Sequence, residues 1–231
     1  MPIRRTLDQD FFKKWTPEMA YVLGYFAADG SMLTNNRGAH FFEFTSIDKI
    51  LIVHVQKAVH SNHRIQLRKR GGNTRTSYRL QIGSKEWYTD LCGLGFTQNK
   101  SNTLKYPNIP ARYQSHFVRG YFDGDGCVYF KKHWAESHTR KVWVFMTRFT
   151  SGSKRFLLQL HKTLKFNGVV GGHINTKNRS GFDLVFSRKD SLALYRFMYH
   201  TSPVSDLFLP RKREKLERAV RVLNLDKIVR E

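Results

Sequence analysis

Residues 21–30 read Tyr-Val-Leu-Gly-Tyr-Phe-Ala-Ala-Asp-Gly, and residues 117–126 read Phe-Val-Arg-Gly-Tyr-Phe-Asp-Gly-Asp-Gly. Each is a helical run with small residues that ends in Asp-Gly, and the second begins 96 positions after the first. Gly24 and Ala28, like Gly120 and Gly124, stand at i, i+4 and so share one helix face. Glycine inside a helix costs about 1 kcal/mol against alanine, so its use here needs a reason. Missing side chains let two helix backbones approach closely. The two motif helices are therefore expected to pack on each other along a pseudo-twofold axis, with Asp29 and Asp125 emerging side by side.

The repeat continues beyond the motif. Phe44-Thr45-Ser46 is echoed by Phe149-Thr150-Ser151, and Tyr78 through Glu86 by Phe182 through Asp190. Phe96, Lys100 and Leu104 are echoed by Phe208, Lys212 and Leu216. Each copy reads as helix, two strands, helix, two strands, helix, which is an α+β pattern. Thr16 and Pro17 open the first helix, and Gly30 is read as its stop. The implied organisation is an extension over 1–15, a first half over 16–104, a linker over 105–115 containing Pro107 and Pro110, a second half over 116–223, and a tail over 224–231. A pair of copies suits a fused dimer acting as a monomer, whereas a solenoid needs more repeats.

With 40 Lys and Arg against 18 Asp and Glu, the net charge is +22. That excess points to a polyanion partner, nucleic acid first. No run approaches the ~18–20 apolar residues of a membrane span, so no membrane partner is expected. Two cysteines and no apolar leader imply an intracellular setting in the compartment of the host genome, prokaryotic cytoplasm or organelle. His60 with His63, and His133 with His138, lack the four-ligand spacing of a zinc site.

The strands alternate. Arg64, Gln66, Arg68 and Arg70 share one face; Arg75, Ser77, Arg79 and Gln81 share another; His173, Asn175 and Lys177 oppose Ile174 and Thr176. A solvated face mixes charge signs, whereas these donors are nearly all basic or neutral, with Asp183 the main exception. They are the candidate DNA contacts.

Aspartates at helix C-termini meet the negative end of the macrodipole, and two together repel further. A divalent cation between Asp29 and Asp125 relieves both problems, and Mg²⁺ suits carboxylate oxygens and substrate phosphate.

Val22–Gly30 and Val118–Gly126 resemble the LAGLIDADG motif of homing endonucleases and maturases, in the single-chain, two-motif branch. The resemblance covers about residues 16–223. It implies two αββαββα halves joined through the motif helices, forming a DNA-binding saddle of antiparallel sheets. It implies site-specific, metal-dependent hydrolysis of both strands of double-stranded DNA in intron or intein homing. Asp29 and Asp125 are the implied catalytic and metal residues, with Ala28 and Gly124 beside them at the metal. Mg²⁺ is the implied ion, Mn²⁺ a substitute, and Ca²⁺ an ion for binding without cleavage. Lys100 and Lys212 occupy the slot of a late lysine that activates water or neutralises charge. Gln98 is an alternative there, with Pro210 as its repeat mate. Ser46 and Ser151 fall at the site's edge or act as helix N-caps. The first acidic position is Asp123 in one motif and Ala27 in the other. Arg119 is polar for its slot and is expected to face solvent or linker. The alternative function on the same fold is an RNA maturase, a splicing cofactor for host intron RNA.

Overall fold

Thr16 is the N-cap of the first helix: its Oγ1 accepts from the Met19 amide at 3.1 Å, and Pro17 takes the first helical position. The computed structural model describes residues 5–68, 76–135, 139–177, 181–200 and 206–224. The first half runs α1 (Pro17–Asp29), β1 (Gly30–Thr34), β2 (His40–Ser46), α2 (Lys49–Ala58), β3 (Gln66–Arg68), β4 (Ser77–Gly83) and α3 (Lys85–Gly93), then a 3₁₀ turn at Lys100–Asn102. The second runs α4 (Gln114–Asp125), β5 (Gly126–Ala135), β6 (Arg140–Ser151), α5 (Lys154–Phe166), β7 (His173–Lys177), β8 (Gly181–Phe186), α6 (Arg188–Tyr199) and α7 (Pro210–Val222).

Each half carries one four-stranded antiparallel sheet, ordered β1-β2-β4-β3 and β5-β6-β8-β7. The registers repeat: Gly30 pairs with Phe44 and Phe44 with Leu80, as Gly126 pairs with Phe149 and Phe149 with Leu184. The alternation places Phe42, Phe44, Leu80 and Ile82 inward, and Phe145, Phe149, Leu184 and Phe186 likewise. Each such side chain contributes about 1.5–3 kcal/mol on burial. The aromatic packing is duplicated too. Phe26 meets Phe44 edge-on at 5.5 Å, and Phe122 meets Phe149 edge-on at 5.3 Å. The α+β pair of pseudo-symmetric halves is thus as the repeat implies.

The two motif helices form the seam. A Cβ on Gly24 would lie 2.0 Å from the Phe117 carbonyl oxygen, and one on Gly120 would lie 2.0 Å from that of Tyr21. Backbone touches backbone, and only glycine fits. A Cβ on Gly124 would lie 2.5 Å from the Ala28 Cβ, so the second pair of small residues packs as well.

Several local expectations are corrected. Gly30 and Gly126 do end α1 and α4 as the motifs imply, but with φ −83°, extended backbone open to any residue, so the reason for glycine is space rather than conformation. Their Cβ positions are taken by the rings of Phe26 and Phe122, at 2.1 and 2.3 Å. Arg119 does not face solvent. It is 3 % exposed and donates to the carbonyls of Met198 (2.6 Å) and Leu207 (2.9 Å), stapling the end of α6 and the approach to α7 onto α4. Ser46 and Ser151 are not N-caps themselves. Their hydroxyls accept from the amides of Asp48 (3.0 Å) and Ser153 (3.1 Å), the residues that do occupy the N-cap positions of α2 and α5. Among the described residues no helix is long and apolar enough to cross a membrane.

Candidate active site and nucleic-acid interface

Asp29 and Asp125 are the last residues of α1 and α4, brought together by the glycine seam. Asp29 Oδ2 lies 3.1 Å from where a Gly124 Cβ would stand. Burial and the Asp125 charge push the Asp29 pKa up to about 7, against the pull of Lys212 and Lys100. Burial also raises Asp125, opposed by Lys212, Lys100 and Lys177. Asp29 has an exposed surface yet sits among protein atoms on most sides, so solvent screens part of this penalty. A carboxylate pair that stays short of positive charge despite two lysines is chemically suited to a hard dication. Among the described residues no cluster of three or more Asp, Glu, His or Cys groups supplements the pair.

The lysines cap the motif helices, a role that motif reading alone does not supply. Lys212 Nζ donates to the carbonyls of Phe122 (2.7 Å), Asp123 (2.8 Å) and Gly124 (3.0 Å). The Asp123 and Gly124 carbonyls are orphan acceptors at the end of α4, the Phe122 carbonyl already takes the Gly126 amide, and three bonds use all three ammonium donors. Lys100 Nζ donates once, to the Gly30 carbonyl at 2.5 Å. Both lie over the corresponding phenylalanine ring, Phe26 at 5.4 Å and Phe122 at 5.6 Å. Burial lowers both lysine pKa values to about 8.

The unequal first acidic position also has a partner. Asp123 Oδ2 accepts from the Tyr21 hydroxyl (2.7 Å) across the seam and from the Leu209 amide (2.8 Å), which holds the start of α7. Burial raises its pKa to about 6. The repeat mates of Tyr21 and Asp123 are Phe117 and Ala27. One side of the axis thus carries a polar couple and the other an apolar one, and the hydrogen bond missing from the first motif has no donor there either.

The predicted contact residues distribute unevenly. Arg68 and Ser77 line a cavity of about 420 Å³ with Asp29, Gly124, Asp48 and Arg211. Arg211 forms a bidentate pair with Asp48 (2.8 and 2.7 Å) that ties the second half to the first. Gln66 lies exposed in β3, and Arg64 lies exposed just before it rather than within the strand. Arg79 and Gln81 are both engaged by Glu43, at 2.6 and 3.0 Å. Glu43, brought onto this face by β2, is an acidic residue that alternation in β3 and β4 does not disclose. Arg70 and Arg75 lie outside the described residues. His173 and Asn175 line a second concavity of about 540 Å³ with Tyr129, Met146 and Arg148. Lys177 is exposed, and Asp125 feels its charge. Tyr129, Lys131, His133 and Arg148 join these candidates, and their sequence signal is that β5 and β6 are free of acidic residues across 126–135 and 140–151. Gln98 instead donates to Thr34 Oγ1 at 2.6 Å.

Residues 16–91 match the family model described as LAGLIDADG-like domain. The chain has the two-motif LAGLIDADG fold. The meganuclease I-SmaMI bound to uncleavable DNA superposes with a TM-score of 0.62 at 14 % identity, covering 90 % of this chain and 92 % of that one. The LAGLIDADG homing endonuclease I-LtrWI bound to target DNA gives 0.60 at 12 % identity, covering 96 % and 92 %. I-WcaI bound to its DNA recognition sequence gives 0.58 at 19 % identity, covering 90 % and 91 %. An uncharacterized protein of Methanocaldococcus jannaschii is 24 % identical over 218 residues, 88 % of this chain and 71 % of that protein. The LAGLIDADG resemblance read from the two motifs is borne out.

Proposed function

We propose that this protein is a site-specific, homing-type endonuclease that hydrolyses both strands of double-stranded DNA as a monomer. The observation that carries the reading is the convergence of Asp29 and Asp125 at the joined ends of α1 and α4. The relatives superposed above were solved with DNA, and the net charge of +22 matches such a partner.

Asp29 and Asp125, with the backbone at Ala28 and Gly124, would hold Mg²⁺, with Mn²⁺ as a substitute and Ca²⁺ supporting binding alone. A dication there supplies electrostatic stabilisation of the scissile phosphate and lowers the pKa of water. Lys100, with donors to spare and a pKa near 8, is placed to neutralise charge that builds on the phosphate. Lys212 spends its donors on α4 and acts by fixing the helix end that presents Asp125. Arg68, Ser77, His173, Asn175 and Lys177 line the route of the duplex.

The test is cleavage of a randomised duplex library with Mg²⁺ by the wild type, Asp29→Asn and Asp125→Asn. The reading requires double-strand cuts at one long motif, lost in both variants while duplex binding persists. Absence of cutting, together with tight binding of structured intron RNA, would refute it and assign the protein to the maturases.

A further inference from the structure

The two hairpins that leave the aspartates differ in length. Both start at the residue after a motif aspartate, Gly30 opposite Phe44 and Gly126 opposite Phe149. β1 then holds five paired positions, out to Thr34 opposite His40, whereas β5 holds ten, out to Ala135 opposite Arg140. At about 3.4 Å per residue the second hairpin reaches about 17 Å farther from the aspartates. That is about five base-pair steps of B-DNA.

The core uses only the base of this extension, where Trp143 packs against it and the Trp143 carbonyl accepts from Arg188 at 2.9 Å. β6 pairs with β8 only over Thr147–Ser151, so its outer part pairs with β5 alone. Trp143 stacks on Phe130 at 4.3 Å, and farther out Trp134 is 62 % exposed. A lone two-stranded ribbon is marginal in water, while the major groove of B-DNA admits one. The face that continues Cys127 and Tyr129 outward carries Lys131 and His133, paired with Val144 and Val142. Lys131 and His133 are exposed, as are Lys132, Arg140 and Lys141 at the arm's flanks. The arm's paired residues include no Asp or Glu, whereas the corresponding face of the first hairpin carries Glu43.

We propose that the β5–β6 arm lies in the major groove and reads DNA about five base pairs farther from the cleavage centre than β1–β2 does. The recognition footprint is then asymmetric, longer on the side of Asp125. Lys131 and His133 face purine acceptors, and Val142 and Val144 face thymine methyls. The proposal rests on the DNA-binding reading above.

Two experiments on the full chain test it, both using the duplex selected from the library. Hydroxyl-radical footprinting compares the wild type with a chain in which residues 133–142 are replaced by Asn-Gly, which removes the three outer pairs. Wild-type protection should extend farther on one side, by about five base pairs, and the trimmed arm should retract that side alone. The second compares Lys131→Ser/His133→Ser, exposed positions that leave the core intact, with the wild type on full and end-shortened duplexes. The double variant should lose roughly tenfold in affinity on the full duplex and nothing on a duplex lacking the outer base pairs of that side. Equal protection on both sides, or an affinity loss that persists on the shortened duplex, overturns the proposal while the endonuclease reading stands. Absence of any footprint on any duplex removes both.

Discussion

Gly24→Ala should be among the most damaging single-methyl additions in this chain. The new Cβ would stand 2.0 Å from the Phe117 carbonyl oxygen, 2.9 Å from its carbon and 2.9 Å from the Tyr121 nitrogen. An ordinary carbon–oxygen contact is about 3.3 Å, so the overlap is about 1.3 Å against backbone, which no rotamer change relieves. Overpacking typically costs about 1–3 kcal/mol; a rigid contact belongs at the top of that range. Alanine returns about 1 kcal/mol in helix propensity, leaving a net loss of about 2 kcal/mol or more. For a chain of this size that lowers Tm by roughly 4–8 °C. Gly120→Ala should match it, because its Cβ meets the Tyr21 oxygen at 2.0 Å. The double variant should lose less than the sum, since helices already separated by one methyl accept the second more cheaply. Gly93→Ala in α3 is the control: nothing lies within 4 Å of its Cβ position, and it should be neutral or slightly stabilising. Thermal melts of the four variants decide the matter. If Gly24→Ala melts at or above the wild type, as Gly93→Ala does, the seam is not the backbone contact described.

In chelator, stability should pass through a minimum between pH about 7 and about 8. Asp29, raised from 3.8 to about 7, binds a proton in the folded chain that the unfolded chain has released, so stability falls as pH rises from 3.8 to about 7. Lys100 and Lys212, lowered from 10.5 to about 8, have lost protons that the unfolded chain retains, so stability climbs from pH about 8 to 10.5. Melts of Asp29→Asn across the same range should show a shallower acid-side decline, to which Asp123 and Asp125 still contribute, and an unchanged profile would sink the assignment. Lys212→Met should cost about 2–3 kcal/mol by stranding the Asp123 and Gly124 carbonyls, measured by urea unfolding. Lys100→Met should cost less stability, and its main deficit should appear in the cleavage rate. Asp123→Ala should destabilise by about 1–3 kcal/mol, and adding Tyr21→Phe should recover about 1 kcal/mol, because the couple then copies the apolar Phe117 and Ala27. Strict additivity in that cycle would mean the Tyr21–Asp123 bond is not formed.

The duplicated motif and its small-residue spacing made the seam, the paired sheets and the position of both aspartates legible, because these depend on local periodicity repeated in matching order. Long-range satisfaction of polar atoms was not legible. Arg119 looks like a surface residue until the end of α6 and the approach to α7, 79 and 88 residues away, arrive with carbonyls to satisfy. Lys212 reads as a lysine that activates water or neutralises charge until α4, 88 to 90 residues earlier, ends beneath it. Glu43 engages Arg79 and Gln81 on the outer face through cross-strand pairing that alternation within a single strand does not encode. Gly30 reads correctly as the end of α1, but the reason for glycine there, the Phe26 ring, is a packing fact that the motif does not carry.

The glycine seam also sets a timetable. The hairpins of each sheet join neighbours in sequence, but α1 must wait for a helix that begins nearly one hundred residues later. At about 5–20 residues per second of synthesis, that is about 5–20 s during which the small-residue face of a nascent α1 has no mate. The face that best fits it, apart from α4, belongs to the α1 of another copy. Crowded polysomes therefore favour pairing between first halves, and the polar Tyr21–Asp123 couple, absent from such a pair, tells the correct partner from the premature one.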